Sequence, residues 1–124
     1  MFLRALHEGR PIQVYGDGKA SRDFMYVDDI CRGLELGLTS DLEPGTVAHL
    51  ATGVETSVSE LADACRQAVG LPDHPIEYLP PRPGEVERNF ATYDYAKQAM
   101  GFEPSVALAE GLARTYEWYQ QHVF

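Results

Sequence analysis

A chain of 124 residues that is 44% hydrophobic can bury one modest core. Its net charge of −9 argues against a general nucleic-acid or membrane-surface binder, which would carry a basic field. A small phosphorylated ligand stays open, because a few placed arginines suffice for one diphosphate.

Residues 2–8 read as a short helix, stopped by Gly9 and Pro11. Residues 12–15 read as a strand and residues 16–21 as a glycine turn. Residues 22–27 alternate, with Phe24 and Tyr26 on one face and Met25 and Val27 on the other, so a second strand is predicted. In "VDDICRGLELGLTS", Val27, Ile30, Cys31, Leu34 and Leu38 recur at helical spacing, and Asp28 or Asp29 is the candidate cap. That helix should bury Ile30 and Leu34. Gly33 and Gly37 weaken it by about 1 kcal/mol each unless they serve close packing.

"EPGT" is a turn and residues 47–51 a predicted strand. "SVSE" is a capping box that opens a helix with Val58, Leu61, Ala62, Cys65, Ala68 and Val69 on one face, ended by Gly70 and Pro72. "PIEYL" is a strand, and three prolines hold residues 80–86 extended. Asp94 can cap a short helix closed by Gly101. Ser105 can cap a last helix with Leu108, Ala109, Leu112, Tyr116 and Tyr119 as its stripe. The sum is an α+β lobe of four or five helices and short strands, expected to form a single unit over 1–124. It holds too few βα units for a doubly wound nucleotide-binding sheet.

Cys31 and Cys65 form no CxxC. On apolar helix faces they read as buried thiols of a reducing compartment. The start, "MFLRALHEGRPIQV", lacks the apolar core and cleavage site of a leader, and no run approaches the ~18 apolar residues of a membrane span. A cytoplasmic, soluble protein is expected.

Several chemistries find no support in the pattern. "GDGKAS" is not a Walker loop, and GxGxxG is absent. His7, His49, His74 and His122 lie at no metal-ligand spacing, so no metal site is expected. No motif frames a nucleophile. Tyr15/Lys19 and Tyr93/Lys97 match the Tyr-x-x-x-Lys spacing of an acid/base pair, which needs one helix face. The first spans a glycine turn and the second opens a short helix after a loop, so both read as coincidence. Arg22, Arg82 and Arg88 remain, with Tyr15 and Glu85 near them in the pattern. By pattern alone they are solvated surface charges or parts of a diphosphate clamp, for which an arginine on a proline-stiffened loop is suited.

A resemblance decides between these. "GRPIQVYGDGKASRDFMYVDDICRGLELGL", "HLATGVETSVSELA" and "YLPPRPGEVERNFATYDYAKQAMGFEPSVALAEGLARTYEWY" occur in the order of one family. They resemble the C-terminal, substrate-binding portion of NAD-dependent nucleotide-sugar epimerases and dehydratases. These are extended short-chain dehydrogenase/reductases of the UDP-glucose 4-epimerase-like kind. The resemblance implies that Tyr15 packs on the nucleotide base, that Arg22 and Arg82 contact the diphosphate, and that Glu85 meets the ribose hydroxyls, where Asp is more usual. His49 stands where the family often has Asn, which leaves that strand end without an assigned role. Asp29 reads as a helix cap and local organiser, and Arg88 as mostly surface.

The resemblance further implies that the glycine-rich NAD loop and the catalytic residues lie upstream. Met1 then corresponds to an internal methionine, and no catalytic or cofactor-binding residue is expected in this chain. It should bind a nucleotide-sugar, with UDP favoured by RDF and RPGE together, and be inactive alone. Its exposed face should meet an NAD-binding domain or a second copy. The alternative is a non-catalytic interaction or scaffold domain that kept the fold and lost the ligand.

Overall fold

Ten elements follow one another in the computed structural model, which describes residues 1–124. They are α1 (Phe2–His7), β1 (Ile12–Tyr15), β2 (Ser21–Arg22), α2 (Val27–Thr39), β3 (Thr56–Ser57), α3 (Val58–Val69), β4 (Ile76–Leu79), β5 (Arg88–Asn89), α4 (Asp94–Met100) and α5 (Leu108–His122). The fold class is α+β, as the sequence implies. No helix is long and apolar enough to cross a membrane.

The core forms where α3 lays its apolar face on β1 and α1. Leu6, Ile12, Val14, Ala62 and Cys65 are buried together, and Leu61, Ile76 and Leu112 pack against them. The predicted capping box fixes the start of α3. Ser57 Oγ accepts from the Glu60 N–H at 3.2 Å, and the Glu60 carboxylate accepts from the Ser57 N–H at 2.7 Å. Such a cap is worth about 1 kcal/mol. Gly70 ends α3 in the left-handed conformation.

β1 and β4 pair in parallel, with Ile12 opposite Ile76 and Tyr15 opposite Leu79. A second, three-stranded sheet has the order β3-β2-β5, with β2 antiparallel to β3 and parallel to β5. Both parallel pairs place carboxyl ends side by side, which brings distant sequence to one edge.

Several local expectations fail for physical reasons. The strand predicted over residues 22–27 stops at Arg22: the Asp23 N–H still donates to the Asn89 carbonyl at 3.1 Å, but its carboxylate is taken up by residues 52 and 53 and the ladder goes no further. Residues 47–51 form no strand, because no strand lies beside them to pair with. None of their N–H or C=O groups makes a backbone hydrogen bond. Neither Asp28 nor Asp29 caps α2, whose N-cap is Tyr26 with no side-chain bond. Asp94 is the first residue inside α4 after Tyr93, and Ala107, not Ser105, precedes α5.

The largest departure concerns α2. Its periodicity is helical as predicted, but the apolar stripe points outward. Val27, Leu34 and Leu38 are 60%, 58% and 87% exposed. Ile30 is half-buried, and Cys31 is exposed rather than buried. The inward face is set by Asp29 and Gly33, which are buried. A Cβ on Gly33 would come within 2.6 Å of a Leu50 methyl, so only glycine lets α2 approach that closely. Cys65 is buried as expected, and burial pushes its thiol up to about 11.

Candidate functional site

The parallel register of β1 and β4 builds the site. Tyr15 closes β1, and the next N–H, that of Gly16, donates to the Leu79 carbonyl at 2.9 Å. β4 ends at the same level, and Pro80 and Pro81 carry its chain outward. Arg82 therefore returns over Tyr15, with its guanidinium carbon 3.7 Å from the ring centroid. A cavity of about 740 Å³ opens here, lined by Tyr15, Lys19, Arg82, Glu85, Glu87 and Arg88 among others. Ligands of parallel sheets commonly sit beyond such carboxyl ends.

Tyr15, Arg82 and Glu85 are thus brought together, as expected for a shared ligand. Arg22 is not among the lining residues, and its Nη1 donates to the Ser21 carbonyl at 2.6 Å. The glycine turn does not bring Tyr15 and Arg22 into one cavity. It folds onto the start of α3 instead, where the Gly18 carbonyl accepts from the Ser59 N–H and the Ala20 carbonyl from Val58. Gly18 has φ +73°, and a Cβ there would overlap Ser59 Oγ.

Arg88, read as surface from its position in sequence, lines the cavity. Its Nε and Nη2 donate to the two oxygens of Glu55 at 2.7 and 2.6 Å. The Arg88 fork, and then the Ser21 hydroxyl, hold the Glu55 carboxyl down to about 2. Lys19 pairs with Asp17 at 3.1 Å. Arg82 has no carboxylate partner. The cavity therefore offers one guanidinium free of ion pairs, an aromatic ring and two acids free of ion pairs, Glu85 and Glu87, so the flat ring and the single free cation suit a ligand with both a planar ring and an anionic group.

Two carboxylates are structural, and of these Asp23 escaped the sequence reading. Asp23 accepts from the Thr52 N–H at 3.1 Å, the Thr52 hydroxyl at 2.5 Å and the Gly53 N–H at 2.9 Å. Asp29 is buried and accepts from the Ser105 and Val106 N–H groups, both at 2.9 Å, the Ser105 hydroxyl at 2.7 Å and Arg32 at 2.7 Å. Burial alone would push the Asp29 carboxyl up, but these donors together hold it well below the usual carboxylate range. Asp29 is the local organiser expected, though not as a cap. Its partners lie 76 and 77 residues away, so no local motif could reveal them.

A larger cavity of about 850 Å³ lies under α1, α3 and α5, but 11 of its 13 lining residues are hydrophobic. It lacks the convergent polar groups of the first. His49 is exposed in the unpaired segment of residues 47–51. No group of three His, Cys, Asp or Glu residues is placed to hold a metal ion. A dinucleotide needs a glycine-rich turn from a parallel strand into a helix N-terminus. Here β1 runs through its turn into β2, and β4 into an extended loop, so the residues present do not fit NAD.

The family model described as GDP-mannose 4,6 dehydratase matches residues 1–115. The UDP-glucose 4-epimerase of Mycolicibacterium smegmatis is 39% identical over 120 residues, which are 97% of this chain and 38% of that protein. The dTDP-glucose 4,6-dehydratase of Actinoplanes is 34% identical over 97% of this chain and 37% of its own length. Among solved structures, UDP-glucose 4-epimerase of Thermotoga maritima with UDP-glucose superposes with a TM-score of 0.90 at 32% identity. That match covers 99% of this chain and 39% of the other. The chain thus spans well under half the length of the relatives it matches.

Proposed function

The chain belongs to the GDP-mannose 4,6 dehydratase family, as the C-terminal portion of an extended short-chain dehydrogenase/reductase, and from that premise we propose that it is the nucleotide-sugar-binding lobe of an NAD-dependent epimerase or dehydratase. The observation that carries this reading is Tyr15 stacked with Arg82 where β1 and β4 end, beside Glu85. In this reading Tyr15 takes the base, Arg82 the diphosphate and Glu85 the ribose hydroxyls. Arg22 is the second diphosphate arginine on the strength of the resemblance alone, and to reach the ligand its guanidinium has to turn from the Ser21 carbonyl toward the cavity. UDP is the favoured nucleotide. Residues 1–124 act as one binding unit in a cytoplasmic setting.

The chemistry of epimerisation is hydride transfer to and from NAD, and the groups here do not hold that cofactor. Alone, the chain binds without catalysing. The outward stripe of α2, Val27, Leu34 and Leu38, is the face for an NAD-binding domain, or for a second copy when that domain is missing. This same face favours the alternative of an interaction domain that no longer takes the ligand.

Protein-observed NMR titration separates the two. UDP should shift resonances of Tyr15, Arg82 and Glu85, and Arg22→Ala and Arg82→Ala should each weaken binding about tenfold or more, the scale of a lost charge-assisted contact. A folded sample silent toward UDP, dTDP and GDP supports the interaction domain instead.

A further inference from the structure

The expected base contact and the observed stack both use the Tyr15 ring. Arg82 lies 3.7 Å from the Tyr15 centroid, so its guanidinium covers one face of the ring. A base that stacks on that face has to displace it. Arg82 differs from the other cations around the cavity. Arg88 is held by Glu55 and Lys19 by Asp17, whereas Arg82 forms no ion pair and its N–H donors are uncommitted. Pro81 and Pro83 flank it and fix φ on both sides, so the guanidinium leaves the ring by rotating its own side chain.

We propose that Arg82 is a selectivity residue that makes docking of a base on Tyr15 conditional on phosphate. A nucleoside must break the cation–π stack and offers the guanidinium only neutral acceptors in return, which form weaker bonds than charged oxygens. A nucleoside diphosphate supplies oxygens that accept the freed donors, so the stack opens in exchange for charge-assisted hydrogen bonds. The cavity thereby discriminates against unphosphorylated nucleosides. This rests on the nucleotide-binding reading above and adds the order of contacts within it.

The test compares uridine and UDP by NMR, following the Tyr15 ring protons, in the wild type and in Arg82→Ala. UDP binding should weaken in the variant, while uridine binding tightens about two- to fivefold, the scale of an exposed cation–π contact. A second measurement needs no variant. Inorganic pyrophosphate should draw Arg82 off the ring and tighten uridine binding to the wild type by a similar factor. Uridine affinity that is unchanged or weaker in both experiments overturns the proposal, even if UDP binds. Absence of UDP, dTDP and GDP binding to the folded wild type overturns the nucleotide reading itself.

Discussion

Asp29 shows how much one side chain can hold. Its carboxylate gathers four donors from Ser105, Val106 and Arg32, and so ties the start of α2 to the loop before α5. Asp29→Ala leaves two backbone N–H groups without their acceptor. We expect a loss of about 2–4 kcal/mol in chemical denaturation, with the fold retained. The acid dependence has a definite sign. The folded-state carboxyls of Asp29 and Glu55 both lie below their unfolded values, Glu55 at about 2. Their stabilisation is therefore complete above the ordinary carboxyl range and is lost as pH falls through roughly 4.5 toward 2. Asp29→Ala should flatten the fall in stability across that window. A variant with an unchanged acid profile would show that Asp29 is not among the groups that set it.

At the level of elements, helix α2 carries two glycines with different work. A Cβ on Gly33 would meet Leu50, whereas one on Gly37 meets nothing nearer than the Met100 sulfur at 4.0 Å. Gly37→Ala should therefore stabilise by up to about 1 kcal/mol, the helix-propensity gain. Gly33→Ala makes the same gain but must push Leu50 aside, which costs about 1–3 kcal/mol. The pair should separate in thermal melts, with only Gly37→Ala raising Tm. Equal rises would mean that Leu50 does not seat against α2. Residues 47–51 carry the alternation of a strand without a strand's partner, so propensity there lacks the neighbour that turns it into a ladder.

Over the whole molecule, the exposed side chains collect on one theme. Val27, Leu34 and Leu38 of α2 face outward, and Val47 in the unpaired segment and Val54 after it are 77% and 61% exposed. Grouped apolar surface of this kind marks an interaction face, and open backbone edges invite pairing. The isolated chain should therefore self-associate despite its net charge of −9. Size exclusion with light scattering should show a concentration-dependent dimer or higher oligomer, and Leu34→Ser with Leu38→Ser should shift it toward monomer without altering charge. A monodisperse monomer at high concentration would refute self-association.

Much that depends on near neighbours was legible in the sequence, although the caps expected at Asp28 or Asp29, Asp94 and Ser105 are not made. The α3 capping box, the glycine stops at Gly70 and Gly101, the helical period of α2 and the α+β class all follow from residues a turn or less apart. The family resemblance named Tyr15, Arg82 and Glu85, which the parallel register of β1 and β4 brings to one cavity. The facing of α2 could not be read, because periodicity fixes which residues share a side but not which side is covered. Asp29 and Leu50 decide that from elsewhere in the chain. Arg88 at the cavity and the guanidinium on Tyr15 likewise came only with tertiary structure, since each depends on contacts between strands rather than along the chain, and so did the place of Arg22 outside the cavity lining.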